Sequence, residues 1–294
     1  MAEIQKLLFV TKFQELCYDA LQTMLNLRTS GLNHIVFINV IERDRVAMRR
    51  GKGYDKAEEV RLREAANIRF IDWAENLFEQ GMEVGVYIVV GSMISEVIKA
   101  AEKEEADLIV IGRPEDAGML EMLYAGSDIT ELLRRTSIPV LVYKPLAEHP
   151  MALGKPFTRP LLAVDWSPAS LKAVEYLKEL KDVAEEINVI HVADEKSLKG
   201  SDAMAIQKTR KDTRRKLDKI CDVLEDEGIP ARSRVYIGDP DTEIEKAARE
   251  CQATMVVIGS SAKSAWKERW LGSTPRNLAE KSVFPTLIIP PEKA

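Results

Sequence analysis

Apolar residues in this chain fall into short runs separated by longer segments of helical period. The first 146 residues carry β-branched or leucine-rich runs near 4–10, 34–41, 83–90, 108–111 and 140–143. A second series follows: PLLAV at 160–164, INVIHV at 187–192, ARSRVYI at 231–237, MVVIG at 255–259 and the run ending at Ile289. Runs of four to eight residues bounded by turn signals predict buried strands. Between them the apolar spacing changes to three and four, which predicts helices. SPASLKAVEYLKEL reads as one, with Ser167 as its cap and Pro168 at its first position. A charged helix is predicted over 201–227, stopped by Gly228-Ile229-Pro230, and another over 241–251. Strands alternating with helices predict a parallel sheet covered on both faces, hence doubly wound α/β domains.

The series is a duplication. VVGSMISEVIKAAEKEEADLIVIG and YIGDPDTEIEKAARECQATMVVIG align with an offset of 147, which places Gly91 on Gly238 and Gly112 on Gly259. Glu96, Lys99, Ala100, Ala101 and Ala106 recur as Glu243, Lys246, Ala247, Ala248 and Ala253. Gly126-Ser127 and Pro139 recur as Gly272-Ser273 and Pro285, with an offset of 146. A period this long means two copies of a domain. The expected division is a first domain over 1–146, a proline-bearing linker over 147–158 and a second domain over 159–294. The fifth strands, 139–143 and 285–289, end their sheets; exposed apolar edges are hazardous, so these two are expected to pair about a pseudo-two-fold axis.

Composition narrows the function. The 294 residues are 46% hydrophobic and 30% charged, with a net charge of −5. An acidic balance argues against general nucleic-acid binding. RDRVAMRRGK and KTRKDTRRKLDK are read as solvated surface, since acidic residues follow both. No apolar run approaches the ~20 residues of a membrane span. The N-terminus lacks the order of a signal peptide, so a cytoplasmic protein is expected. Cys17, Cys221 and Cys251 lie on apolar helical stripes and read as buried thiols, without metal or redox spacing.

LLAVDWSPAS, VYIGDPDTEIEKAA, ATMVVIGSSA and LGSTPRNLAEKSVFPTLIIP in the second copy, with ADLIVIG and YAGSDITELLRRTSIPVLVY in the first, resemble the universal stress protein family in its tandem two-domain form. The resemblance covers nearly the whole chain. It implies two five-stranded parallel sheets of order 3-2-1-4-5, pairing through their last strands, and in some members bound ATP or AMP.

Nucleotide-binding members carry a glycine, two residues, a second glycine, nine residues, then Gly-Ser or Gly-Thr, and an aspartate ending the first strand. Against that pattern Gly259 is the first glycine, Ala262 replaces the second, Gly272 and Ser273 follow at the expected spacing, and Asp165 ends the first strand. The nucleotide residues implied are Asp165, Val192, Gly259, Ala262, Lys263, Gly272, Ser273 and Thr274. Glycines permit positive φ and let backbone amides approach phosphate, and a helix start after Gly272 suits an anion. Asp165 suits ribose hydroxyls, or a magnesium ion held by the phosphates. Lys263 reads equally as a phosphate contact or as solvated surface. In the first copy Thr11 stands where the family has aspartate, Pro114 and Glu115 follow Gly112, and the interval to Gly126 is ten residues; that site reads as degenerate.

Trp266 and Trp270, four apart, are read as packing residues. His191, with Asn39 in its place in the first copy, is read as a polar strand-end residue; His34 and His149 carry no signal. The function expected is a stress-response binding or sensing module for an adenine nucleotide. The alternatives are a nucleotide-free scaffold for protein partners and a slow ATP hydrolase. Neither a P-loop lysine motif nor a Ser-His-Asp arrangement appears, so any turnover is expected far below the ~10 per second typical of enzymes. A further homodimer of the whole chain stays open.

Overall fold

The computed structural model describes residues 4–12, 15–47, 53–112, 129–143, 155–193, 203–260 and 271–291. The first half runs β1 (Lys6–Val10), α1 (Glu15–Met24), β2 (His34–Glu42), α2 (Lys56–Glu79), β3 (Glu83–Gly91), α3 (Met93–Lys103), β4 (Leu108–Gly112), α4 (129–135) and β5 (Val140–Tyr143). The second runs β6 (Pro160–Ala163), α5 (Pro168–Lys178), β7 (Ile187–Ala193), α6 (Ala203–Asp226), β8 (Ala231–Ile237), α7 (Pro240–Glu250), β9 (Met255–Gly259), α8 (Ser273–Lys281) and β10 (Thr286–Ile289). Pro160 stands at the first residue of an interior strand, where a missing N–H is tolerated.

Each half has the order 3-2-1-4-5, and the two join into one ten-stranded sheet, β3-β2-β1-β4-β5-β10-β9-β6-β7-β8. All neighbours are parallel except β5 and β10, which pair antiparallel with Leu141 opposite Leu287. These leucines are equivalent in the duplication, so a local two-fold passes between them. It keeps each face of the sheet on its own side and reverses strand direction. Each half therefore presents its strand C-termini toward the opposite end of the sheet from the other.

Two cores line the two faces, and each takes residues from both halves. One collects Leu21, Trp73, Leu177 and Leu217, from α1, α2, α5 and α6, with Leu141 and Leu287 beneath. The other collects Val97, Leu132, Ala247 and Leu278, from α3, α4, α7 and α8. Across the seam Thr29 Oγ1 donates to Asp182 O at 3.5 Å and Thr130 Oγ1 to Glu280 Oε1 at 3.0 Å. Phe157 is fully buried, tying the chain before β6 into the first of these cores. Cys221 and Cys251 are buried as expected, and burial pushes the Cys221 thiol up to about 12; the Cys17 side chain lies outside the described residues.

The duplicated Gly–Glu pairs have a steric cause. A Cβ at Gly91 or Gly238 would meet the Glu96 or Glu243 side chain at 2.5 and 2.9 Å, because each glutamate folds back over its glycine.

One charge cluster fixes the first half's outer edge. The buried Glu59 carboxylate accepts from Tyr54 OH (2.6 Å), Lys56 Nζ (2.7 Å) and Arg63 Nε (2.7 Å). Arg63 also donates to the Ile88 carbonyl of edge strand β3. Donors from Lys56, Tyr54 and Arg63 hold the Glu59 carboxyl at about 2, below its usual 4.5. A depressed folded-state pKa stabilises above the unfolded value and is lost as pH falls through the folded one. Glu59→Gln should therefore lower Tm at pH 7, and the gap from the parent should close between pH 4.5 and about 2. A gap of constant size across that range would show that the carboxylate's charge is not what stabilises this edge.

Candidate functional site

The crevice predicted by the fold lies at the C-terminal ends of β6 and β9, where the order of the second half reverses. β6 and β9 run in register with Ala163 beside Ile258, so Val164 and Asp165 come level with Gly259 and Ser260. On the other side Ala163 pairs Ile190, which brings Val192 level with Asp165. The three predicted strand-end residues Asp165, Val192 and Gly259 thus converge. Gly272 and Ser273 lie at the start of α8. Ala262, Lys263, Trp266 and Trp270 lie outside the described residues, as do Pro114, Glu115, Gly126-Ser127 and His149.

Asp165 is exposed and opens a tight turn. Its Oδ1 accepts from Ser167 N at 3.0 Å and from Ser167 Oγ at 2.5 Å. Ser167 then caps α5 as predicted, accepting from Ser170 N at 3.2 Å. The turn forces Trp166 to φ +64°, a left-handed conformation that costs a non-glycine residue roughly 1–2 kcal/mol. Contacts on the Trp166 ring offset this: it tilts against His191, centroids 5.6 Å apart, and Lys216 Nζ lies 5.7 Å from its centre. Sequence reading passes over Trp166, because nothing in its type announces a left-handed backbone.

His191 Nδ1 lies 2.7 Å from Val164 O. A carbonyl only accepts, so Nδ1 carries the proton and the imidazole clamps the end of β6. In the first half Asn39 Nδ2 donates to Thr11 O at 2.9 Å. The predicted equivalence of His191 and Asn39 thus has a mechanical meaning.

That clamp corrects the alignment of the first site. Val10 pairs Ile111 as Ala163 pairs Ile258, and Thr11 N and Val164 N bond to Ile38 O and Ile190 O. Thr11 is therefore the counterpart of Val164, and exposed Lys12 takes the position of Asp165. The first half carries a cation where the second carries an anion.

The glycines also act differently from expectation. Neither Gly259 nor Gly272 has a positive φ. A Cβ on Gly259 would lie 2.4 Å from Ser170 N and 2.5 Å from Ala169 C, so this glycine admits the first turn of α5 against β9. Its counterpart Gly112 has nothing within 4 Å of such an atom. Gly272, at φ −59° and ψ 158°, is the N-cap of α8 and provides no side-chain cap. By contrast, Ser167 and Asp239 cap α5 and α7. Pro275 has no N–H, so the orphan donors of this start are the amides of Gly272, Ser273 and Thr274. An anion is the group that suits such donors.

The Val192 side chain is half-buried against the α3/α4/α7/α8 core. Among the described residues no three His, Cys, Asp or Glu side chains group to hold a metal ion, and no helix is long and apolar enough to cross a membrane.

Comparison with known proteins agrees with the architecture. A universal stress protein of Methanocaldococcus jannaschii is 28% identical over 149 residues, covering 44% of this chain and 92% of that protein. One of Bacillus subtilis is 27% identical over 146 residues, covering 45% of this chain and 99% of that protein. Among solved structures, a universal stress protein from Archaeoglobus fulgidus superimposes with a TM-score of 0.74 at 22% identity, covering 99% of this chain and 98% of that one, which supports the fold. The sequence model of the universal stress protein family matches twice, over residues 3–144 and again over 156–290. With one match to each half of the duplication, the chain belongs to the universal stress protein family and carries two of its units in tandem.

Proposed function

We propose that the chain binds one adenine nucleotide, ATP or AMP, at the strand ends of its second domain, residues 159–294, and acts as a binding or sensing module. The observation that carries this reading is the start of α8, where Gly272 at the cap position has no side chain to offer its own amide or those of Ser273 and Thr274; in this reading they face the strand ends that carry Asp165. The amides of Gly272, Ser273 and Thr274 would meet phosphate oxygens. The Asp165 carboxylate, steadied by Ser167, would accept from ribose hydroxyls, and Val192 would give the base an apolar wall. Gly259 contributes by seating α5, which sets the crevice's width. Ala262 and Lys263 complete the phosphate loop in this reading. The first domain lacks the carboxylate: Lys12 cannot accept a ribose hydrogen bond.

Calorimetric titration with ATP and with AMP tests the assignment. One site per chain is expected. Gly272→Val should abolish it; its φ and ψ are open to valine, so the loss would come from the branched side chain at the helix start and not from backbone strain. Lys12→Asp should leave the stoichiometry at one. Two equal sites, or binding that survives Gly272→Val, would place the nucleotide elsewhere. No heat with either nucleotide would put the nucleotide-free scaffold first.

A further inference from the structure

We infer that the chain self-associates through the outward face of α2, forming an isologous dimer in which two α2 helices cross antiparallel. Ten large hydrophobic side chains are exposed among the described residues, and five of them lie between Tyr54 and Phe78. Along α2, Val60, Ile68, Ile71 and Phe78 are 42, 63, 54 and 58% exposed. Spacings of 8, 3 and 7 residues keep these four within one broad stripe of an α-helix. The opposite side of the helix is already spent: Ala66, Trp73, Ala74 and Leu77 are buried against the sheet. A helix apolar on both sides has two surfaces to cover, and the fold covers one. The equivalent helix of the second half, α6, exposes Met204 and Val223 near its two ends, with Lys208, Lys211, Arg214, Arg215 and Lys219 between them, so its described residues form no comparable apolar stripe.

The edge strand beside α2 does not offer the same service. The Arg63 guanidinium sits on the Ile88 carbonyl, held there by Glu59, and obstructs addition of another strand to β3. Approach through the helix remains.

Charge points to a second copy as the occupant. The exposed face begins with Lys56 and Arg61 and ends with Asp72, Glu75 and Glu79. In an antiparallel crossing centred between Ile68 and Ile71, Ile68 of one helix meets Ile71 of the other, and Val60 meets Phe78. The same register sets Arg61 against Glu75 and Glu79 of the second copy. Arg61 already pairs with Glu58 at 2.6 Å, and it would be shared. Glu64 falls near Glu75, a like-charge contact that limits affinity. One helix face is smaller than the ~800 Å² per partner of standard interfaces, so a dissociation constant on the order of ten micromolar is expected.

Sedimentation equilibrium of the full chain from about 1 to 200 µM tests this. The parent should pass from monomer to dimer within that range. Ile71→Glu, at an exposed position, should weaken association at least tenfold with an unchanged thermal midpoint. Val223→Glu on α6, also exposed, should have no effect. Arg61→Glu should weaken the dimer, and Arg61→Glu combined with Glu79→Arg should restore it. A parent that stays monomeric at 200 µM, or a dimer indifferent to Ile71→Glu, overturns the proposal.

Discussion

Gly259→Ala should destabilise the protein by about 1–3 kcal/mol or more, while Gly112→Ala, the same change at the equivalent place in the first half, should be neutral or slightly stabilising. The two glycines end equivalent strands and look identical in sequence. At Gly259 the added methyl would lie 2.4 Å from one backbone atom of α5 and 2.5 Å from another. Backbone atoms in a capped first turn cannot move aside as a side-chain tip can. The helix must shift, and with it Ser167, whose two bonds to Asp165 shape the crevice. At Gly112 the methyl enters open space, and reduced freedom of the unfolded chain should contribute up to ~1 kcal/mol of stability. Urea unfolding of both variants at unchanged m-value would measure the difference. Equal effects would mean that α5 does not rest on Gly259.

Leu287→Ala should cost about 2–5 kcal/mol and should lower both halves together. Leu287 and its equivalent Leu141 are fully buried and opposed at the centre of the antiparallel β5–β10 pairing. Each of the two cores includes residues from both halves, so the free energy of this seam is shared. Deleting three buried carbons there leaves a cavity lined by both units. A single calorimetric transition, lower than the parent's, is expected, with hydrogen-exchange protection falling alike in β1 and β6. Two separated transitions, with only the second half weakened, would show that the units fold independently and that β5 and β10 merely touch.

Much of this architecture was open to a reader of the chain. The predicted strands at 231–237, 255–259 and 140–143 coincide with β8, β9 and β5. Ser167 caps α5 as predicted, and the fifth strands pair as their apolar edges require. Each of these rests on a local rule or on the repeat. The site was less legible. The family resemblance put forward Asp165, Val192, Gly259 and Gly272, and the register brings the first three to one end of the sheet; a positive φ was the wrong reason for Gly259, and Thr11 was the wrong counterpart for Asp165. Trp166 was missed because a left-handed φ is imposed by the turn around it.

The division follows the range of the forces. Strand, helix and cap depend on neighbours a few residues away, and the duplication states those neighbours twice; the amino-acid sequence therefore determines the order of elements and the presence of two units. Whether Lys12 or Thr11 stands across from Asp165 depends on which carbonyl each amide meets in the next strand, Ile38 O or Ile190 O. Whether a glycine makes room for a phosphate or for a helix depends on what lies within 3 Å of its missing Cβ. Contacts between residues some ninety positions apart, such as Gly259 on Ala169, exist only once the sheet has closed, and only the tertiary structure decides them.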